Sequence, residues 1–375
     1  MDVAAKRERL LSLDVPRGIA VMGMILVNSA AAMFYDARAT VYAPLLHAHW
    51  DGLTLADLVF PAFLMMMGVS IPMALAKAKA SPRPRQDAER RILMRAARLV
   101  LIGFLLSNIY WFAHFSSGHW RLWGVLQRVG LVYGACALLF LHCGPRLRLW
   151  IIVALLVLYW PLVLAPSLDG LPTDIMLRGH NFVASVDRVL LGAGGHNYVQ
   201  GDAGYDPEGL LGTLPAIAHG LIGVWAGEVL MRQPGGEGFR KIAIAGVAML
   251  VVGLTWSLAF PIIKDIWSSS FVLVTCGITL IALAVLHLLI DGRPAGRMRW
   301  LVNVPLAFGI NAIAAYCLHM VTGSVLGWDL LQAPYRLALS VLPMPAASLI
   351  PIILYMALIW VAMAWLRAQN WIIKV

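Results

Sequence analysis

Along the chain, continuous apolar runs of about 20 residues are separated by short clusters of Pro, Gly and charge. A helix needs about 20 mostly apolar residues to cross a hydrocarbon core. The pattern therefore predicts ten membrane-crossing helices, at 16–34, 54–76, 92–113, 122–143, 149–165, 209–231, 242–263, 269–290, 303–323 and 344–366. Strands of a membrane barrel alternate apolar and polar positions, which these runs do not, so an outer-membrane barrel is excluded. No repeat at a solenoid period and no low-complexity tract divides the chain, so 1–375 is read as one all-α, polytopic transmembrane domain. The first apolar run follows Lys6, Arg7 and Arg9 and has no A-x-A-like end, so no cleavable signal peptide is expected.

Composition agrees. The chain is 61% hydrophobic and 13% charged, against roughly 45–50% and about 25% in soluble domains. That excludes a soluble enzyme, a disordered scaffold and a collagen-like fibre. The net charge of +10 comes from 29 Lys and Arg against 19 Asp and Glu. With the N-terminus in the cytoplasm, 22 of the basic residues fall on inner segments. Only 6 fall on outer ones: Arg38, Arg121, Arg178, Arg188, Lys264 and Arg336. This asymmetry predicts that both termini are cytoplasmic and accounts for the charge without a nucleic-acid partner. The long outer segment 166–208 holds Asp169, Asp174, Asp187, Asp202, Asp206 and Glu208, making that face locally acidic. Cys136, Cys143, Cys276 and Cys317 lie in or beside apolar runs with no CxxC spacing and read as small core residues.

Polar groups at membrane depth are costly and become functional candidates. Arg128, beside Gln127, is expected about six residues inside the fourth span, roughly 9 Å deep. Asn28 lies eleven residues beyond Arg17, about 16 Å along the first helix. Asn311 and His319 are spaced to share one face of the ninth span. Each also has a bland explanation as internal pairing or interhelical glue.

The densest chemistry is at 45–61, LLHAHWDGLTLADLVFP, with His47, His49, Asp51 and Asp57 at the outer entrance of the second span and Trp50 placed for the interface. No defined ligand spacing is present, so no metal is expected. Thr54 and Asp57 form a T-x-x-D capping box, a complete structural explanation for Asp57 but not for His47. His47 can serve as base or acyl acceptor near neutral pH if something orients it. Asp206 and Glu208, before the sixth span, fit either an acidic helix start or a site for a cationic or sugar-like substrate.

Five stretches together resemble the transmembrane acyltransferases typified by heparan-α-glucosaminide N-acetyltransferase, in particular a bacterial NagX-like branch. They are RLLSLDVPRGIAVMGMILVN at 9–28, HAHWDGLTLADLVFPAFLMMMGVSI at 47–71, GVLQRVGLVY at 124–133, YDPEGLLGTLPAI at 205–217 and FGINAIAAYCLHM at 308–320. The resemblance implies a multi-pass enzyme of a bacterial inner membrane, acting as a homodimer, that takes acetyl from cytoplasmic acetyl-CoA to a glucosamine-type amine on the periplasmic side. It implies His47 as the active-site histidine, with Asn28 and Asp57 as its catalytic partners. Asp14 and Arg17 match the segment at the inner end of the first helix.

Arg17, Arg95 and Arg98 lie at inner helix edges where guanidinium groups suit CoA phosphates, and Asp14, Arg128, Ser70 and Asn311 join them as donor-binding candidates. Glu208, Asp206, Trp50 and His319 are the acceptor-binding candidates. Either His47 takes the amine proton directly or it is itself acetylated first. The same features also fit a transporter for a sugar or organic anion, or an O-acetyltransferase acting on a cell-envelope glycan. The compact His47–Asp57 segment and the lack of an evident inverted repeat favour the enzyme.

Overall fold

The computed structural model describes residues 11–81, 85–192, 196–233, 235–290, 299–326 and 329–373. Lys6, Arg7, Arg9, Arg83, Arg293, Arg297 and Lys374, which enter the predicted charge asymmetry, lie outside the described residues. The described chain is helical: α1 (Leu11–Tyr35), α2 (Ala56–Ala80), α3 (Gln86–Ser107), α4 (Ile109–Ala113), α5 (Val125–His142), α6 (Pro145–Val163), α7 (Phe182–Leu191), α8 (Thr213–Arg232), α9 (Gly236–Trp256), α10 (Ser269–Ile290), α11 (Arg299–Ile310), α12 (Ala312–Leu326), α13 (Asp329–Leu339) and α14 (Met344–Ala368). Among the described residues the only β pairing is two isolated bridges, Asp51 with Ile263 and Val199 with Tyr205.

Among the described residues eight helices, α1, α2, α5, α6, α8, α9, α10 and α14, are long and apolar enough to cross a membrane, and α11 with α12 makes a ninth as a bent pair. The remaining predicted span, the third at 92–113, is α3 followed by α4. α3 starts earlier than predicted, at Gln86, and its stretch up to Arg98 carries Asp87, Glu89, Arg90, Arg91, Arg95 and Arg98. The chain breaks at Asn108, whose amide donates to the Phe104 and Arg121 carbonyls at 2.8 and 2.9 Å.

The centre of the bundle is α2, α5 and α8. In the apolar windows of α5 and α8, 67% of residues are buried, against 28% in α6, α9 and α14, which therefore form the lipid-facing periphery. Close approach of α2 to α8 needs glycine on both sides. A Cβ on Gly68 would lie 2.2 Å from the Gly220 carbonyl oxygen, and one on Gly223 would lie 2.4 Å from that of Met65.

The predicted ninth span is not straight. Its two halves meet at 84° across Asn311, so Asn311 and His319 do not share a helix face. α11 crosses α1 backbone to backbone: a Cβ on Gly18 would meet the Pro305 oxygen at 1.8 Å and one on Gly309 the Asp14 oxygen at 2.0 Å. The break thus lies at the Asp14–Arg17 end of α1. At the opposite end, the connections after α1, α4, α7 and α9 bring His47, Arg121, Glu208 and Lys264 together.

Candidate active site

These four connections roof a cavity of about 550 Å³, within the roughly 300–1,000 Å³ of small-molecule sites. Asn28, His47, Arg121, Glu208, Lys264 and His319 line its walls, Met24 and Tyr316 lie deepest, and Tyr35 and Tyr198 stand at its mouth. The cavity therefore runs from the loop end to about halfway down α1 and α12.

Asp57 sits in the first turn of α2 with no exposed surface. Its Oδ2 accepts the backbone N–H of Thr54 at 3.0 Å, as the capping box predicts, and also that of Ala48 at 3.1 Å. Its Oδ1 lies 2.7 Å from His47 Nδ1. Capping and orientation are therefore one structure: the carboxylate that starts α2 also fixes the imidazole. With Nδ1–H donating to the carboxylate, Nε2 carries the lone pair, on a side chain that is 40% exposed.

Asn28 Nδ2 lies 3.3 Å from His319 Nε2. His319 Nδ1 is in turn 3.0 Å from the Tyr355 hydroxyl, which is 2.6 Å from Thr322 Oγ1. Asn28 thus lines the cavity beside a second histidine, on α12.

Arg121 clamps the loop after α7. Its Nε and Nη2 donate to Asp206 Oδ2 and Oδ1, both at 2.7 Å, and Nη2 also donates to Glu208 Oε2 at 2.6 Å. Its guanidinium lies 4.5 Å from the ring centre of Tyr198. Burial alone would lower the Arg121 pKa, but Asp206 and Glu208 raise it. For Glu208 burial acts upward, and Arg121, Arg128 and Lys264 more than offset it, so the carboxylate stays ionised in the cavity wall.

Several predicted residues stand elsewhere. Asp206 has its carboxylate fully enclosed by Arg121 and does not line the cavity, so it holds the loop instead of facing a substrate. Trp50 is buried, not interfacial: its Nε1–H donates to the Ile175 carbonyl at 2.7 Å and its ring meets Tyr205 edge-on. Arg95 and Arg98 lie on the exposed face of α3, with Arg95 over the Tyr133 ring, and neither borders the cavity.

Arg128 is in the first turn of α5 because 118–124 is not helical, so it is shallower than predicted. It is fully buried, donates to the Gly209 carbonyl at 3.1 Å and lies over Trp267. Asn311 spends its side-chain amide on backbone groups of Trp371 and Ile373. Arg17 is brought to Asp14 at 3.0 Å and to Ser70 Oγ at 2.6 Å, joining three donor-side candidates in one cluster.

Arg121, Lys264 and Tyr198 escape the sequence reading. A signal was available for the first two: both belong to the six basic residues that fall on the predicted outer side, against the sidedness rule. Two others of the six are also engaged, Arg178 with Asp265 and the Tyr205 hydroxyl, and Arg188 with Asp169. No group of three or more His, Cys, Asp or Glu placed to hold a metal occurs among the described residues.

Residues 9–189 match the family model described as heparan-alpha-glucosaminide N-acetyltransferase, catalytic. The chain is 28% identical over 372 residues to heparan-alpha-glucosaminide N-acetyltransferase of Homo sapiens, covering 85% of this chain and 54% of that protein. It is 27% identical over 364 residues to the Mus musculus protein of the same name, covering 84% and 53%. It thus spans about half the length of these relatives. The matched region contains α1, the His47–Asp57 pair and Arg121, so the chain is similar to heparan-α-glucosaminide N-acetyltransferase through the part that holds this site.

Proposed function

We propose that the chain is a membrane-embedded N-acetyltransferase that moves an acetyl group from cytoplasmic acetyl-CoA to the amine of a glucosamine-type sugar on the periplasmic side of a bacterial inner membrane, as a homodimer. The observation that carries the reading is the pairing of His47 with buried Asp57 at the wall of a cavity that also presents Asn28 and Glu208. The relatives' name supplies the acceptor class and the acetyl group.

The chemistry follows from the atoms. The sugar amine attacks the thioester carbonyl carbon, the C–N bond forms, and the C–S bond breaks. His47 Nε2 takes the amine proton and can return it to the departing sulfur, while Asp57 stabilises the imidazolium that forms in between. Asn28 Nδ2 has a second N–H beyond the one aimed at His319, available to the oxygen that gains charge. Glu208, held ionised, attracts an amine-bearing sugar to the mouth. On the opposite side, the Arg17 guanidinium, held by Asp14 and Ser70, binds a donor phosphate in this reading.

Purified protein given labelled acetyl-CoA and glucosamine tests this. His47→Ala should lower transfer roughly 10²- to 10⁴-fold; a rate equal to wild type refutes the assignment. Acetyl trapped on His47 without an acceptor identifies the two-step route, and its absence in a single turnover identifies direct transfer.

A further inference from the structure

The broken span contains an arrangement that makes no contact with the cavity. A break of 84° strands backbone groups at the end of α11 and the start of α12. Asn311, 1% exposed, sits at that break. Its carbonyl accepts the Ala315 N–H at 2.9 Å, which starts α12. Its side chain turns to the segment following α14: Nδ2 donates to the Trp371 carbonyl and Oδ1 accepts the Ile373 N–H, both at 3.0 Å. Asn370, at φ 55°, turns that segment back toward the bundle, and Trp371 packs edge-on against Trp365. Further along α12, Tyr355 of α14 bonds His319 and Thr322. α14 and the residues after it therefore hold α12 at two levels.

We infer that Asn311 is a positioning residue: by pairing with Trp371 and Ile373 it fixes the start of α12 and thereby sets His319 against Asn28. The inference rests on the acetyltransferase reading. From Asn311 to His319 is about 12 Å of helix, so a tilt at the start is carried to the imidazole. The Asn28–His319 contact, at 3.3 Å, lies at the long end of the hydrogen-bond range, and a shift of a fraction of an ångström breaks it. The residue type fits the task. An amide has a donor and an acceptor and uses both here; a carboxylate only accepts, and Leu does neither.

The test places Asn311→Leu and Ile373→Pro, which removes the N–H received by Oδ1 and leaves Asn311 in place, in wild-type and Asn28→Ala backgrounds. Asn311→Leu should lower kcat about tenfold, and Ile373→Pro about threefold, with KM for glucosamine within about twofold. In Asn28→Ala each should cost less than about twofold more, because the contact they protect is already gone. Equal losses in both backgrounds overturn the inference.

Hydrogen exchange over 369–373 reads the latch without activity: slow in wild type, and at least about tenfold faster in Asn311→Leu. Fast exchange in wild type also overturns it. Absence of acetyl transfer by wild type refutes the functional reading and the positioning role with it, whatever the exchange shows; normal transfer with additive losses refutes the positioning role alone.

Discussion

At the end of the bundle that holds His47, guanidinium groups meet carboxylates: Arg121 with Asp206 and Glu208, Arg178 with Asp265, Arg188 with Asp169. At the opposite end, around the C-terminus of α5, cations meet carbonyls. Lys79 and Arg148 both donate to the Phe140 and Cys143 oxygens and Arg85 to that of Leu141, so three side chains close the C-terminus of α5, and only Arg148 adds a carboxylate, Glu228. The difference follows from what each end must hold. Long connections with little secondary structure need fixed tertiary links, which buried ion pairs supply, whereas a helix end needs only positive charge near its orphan carbonyls. The cavity is thus roofed by loops locked through Arg121 and Arg188.

Breaking the first kind of link should cost most. Arg121→Met leaves the enclosed Asp206 and the nearly enclosed Glu208 without their cation, and thermal unfolding in detergent should show a loss of about 3–5 kcal/mol. Adding Asp206→Asn should restore part of it, since the loss is an unpaired charge and not missing volume. At the other end, Arg148→Met removes two carbonyl caps and uncovers Glu228, which is already partly solvated, so the expected loss is about 1–3 kcal/mol. Equal losses at the two ends would erase the distinction.

Asp187, in α7, shows what happens to a carboxylate at the loop end that no guanidinium clamps. Burial pushes its pKa up to about 7, against the Leu210 N–H that Oδ1 accepts at 3.1 Å; Asp206 adds to the rise and Arg128 opposes it. A folded-state value above the unfolded 3.8 means that folding takes up a proton between those two values. Stability is then greatest at the acid end of the window and falls as pH rises, by at most about 1.4 kcal/mol per pH unit. Asp187→Asn keeps the acceptor and removes the titration, so its unfolding temperature should be flat between about pH 5 and 7 relative to wild type. An unchanged slope would assign the dependence to another group.

Most helices are legible because a membrane imposes one length and one composition, and the His47–Asp57 pair because capping and chemistry share a short segment. The breaks are not. Asn108 and Asn311 sit inside runs that are apolar on average, and what bends each is a bond to a remote backbone group, from Arg121 or from Ile373, that local hydropathy does not register. α7 and α13 are too short to stand out as spans. Sequence order puts Asp206 and Trp50 at the substrate end; that neither lines the cavity depends on Arg121 and Ile175, which are remote in the chain.

The smallest expected effect tests the carbonyl end at its surface. Lys241 and Glu237 pair at 3.3 Å in the first turns of α9, with side chains 45% and 59% exposed. Water screens such a pair, and Glu237 gains a little more from the helix N-terminus it occupies. Glu237→Gln should therefore cost only about 0.3–0.5 kcal/mol, and the difference should vanish in about 1 M salt. A loss as large as that of Arg148→Met, or one insensitive to salt, would mean that ion pairing also organises this end and that capping alone does not account for its charges.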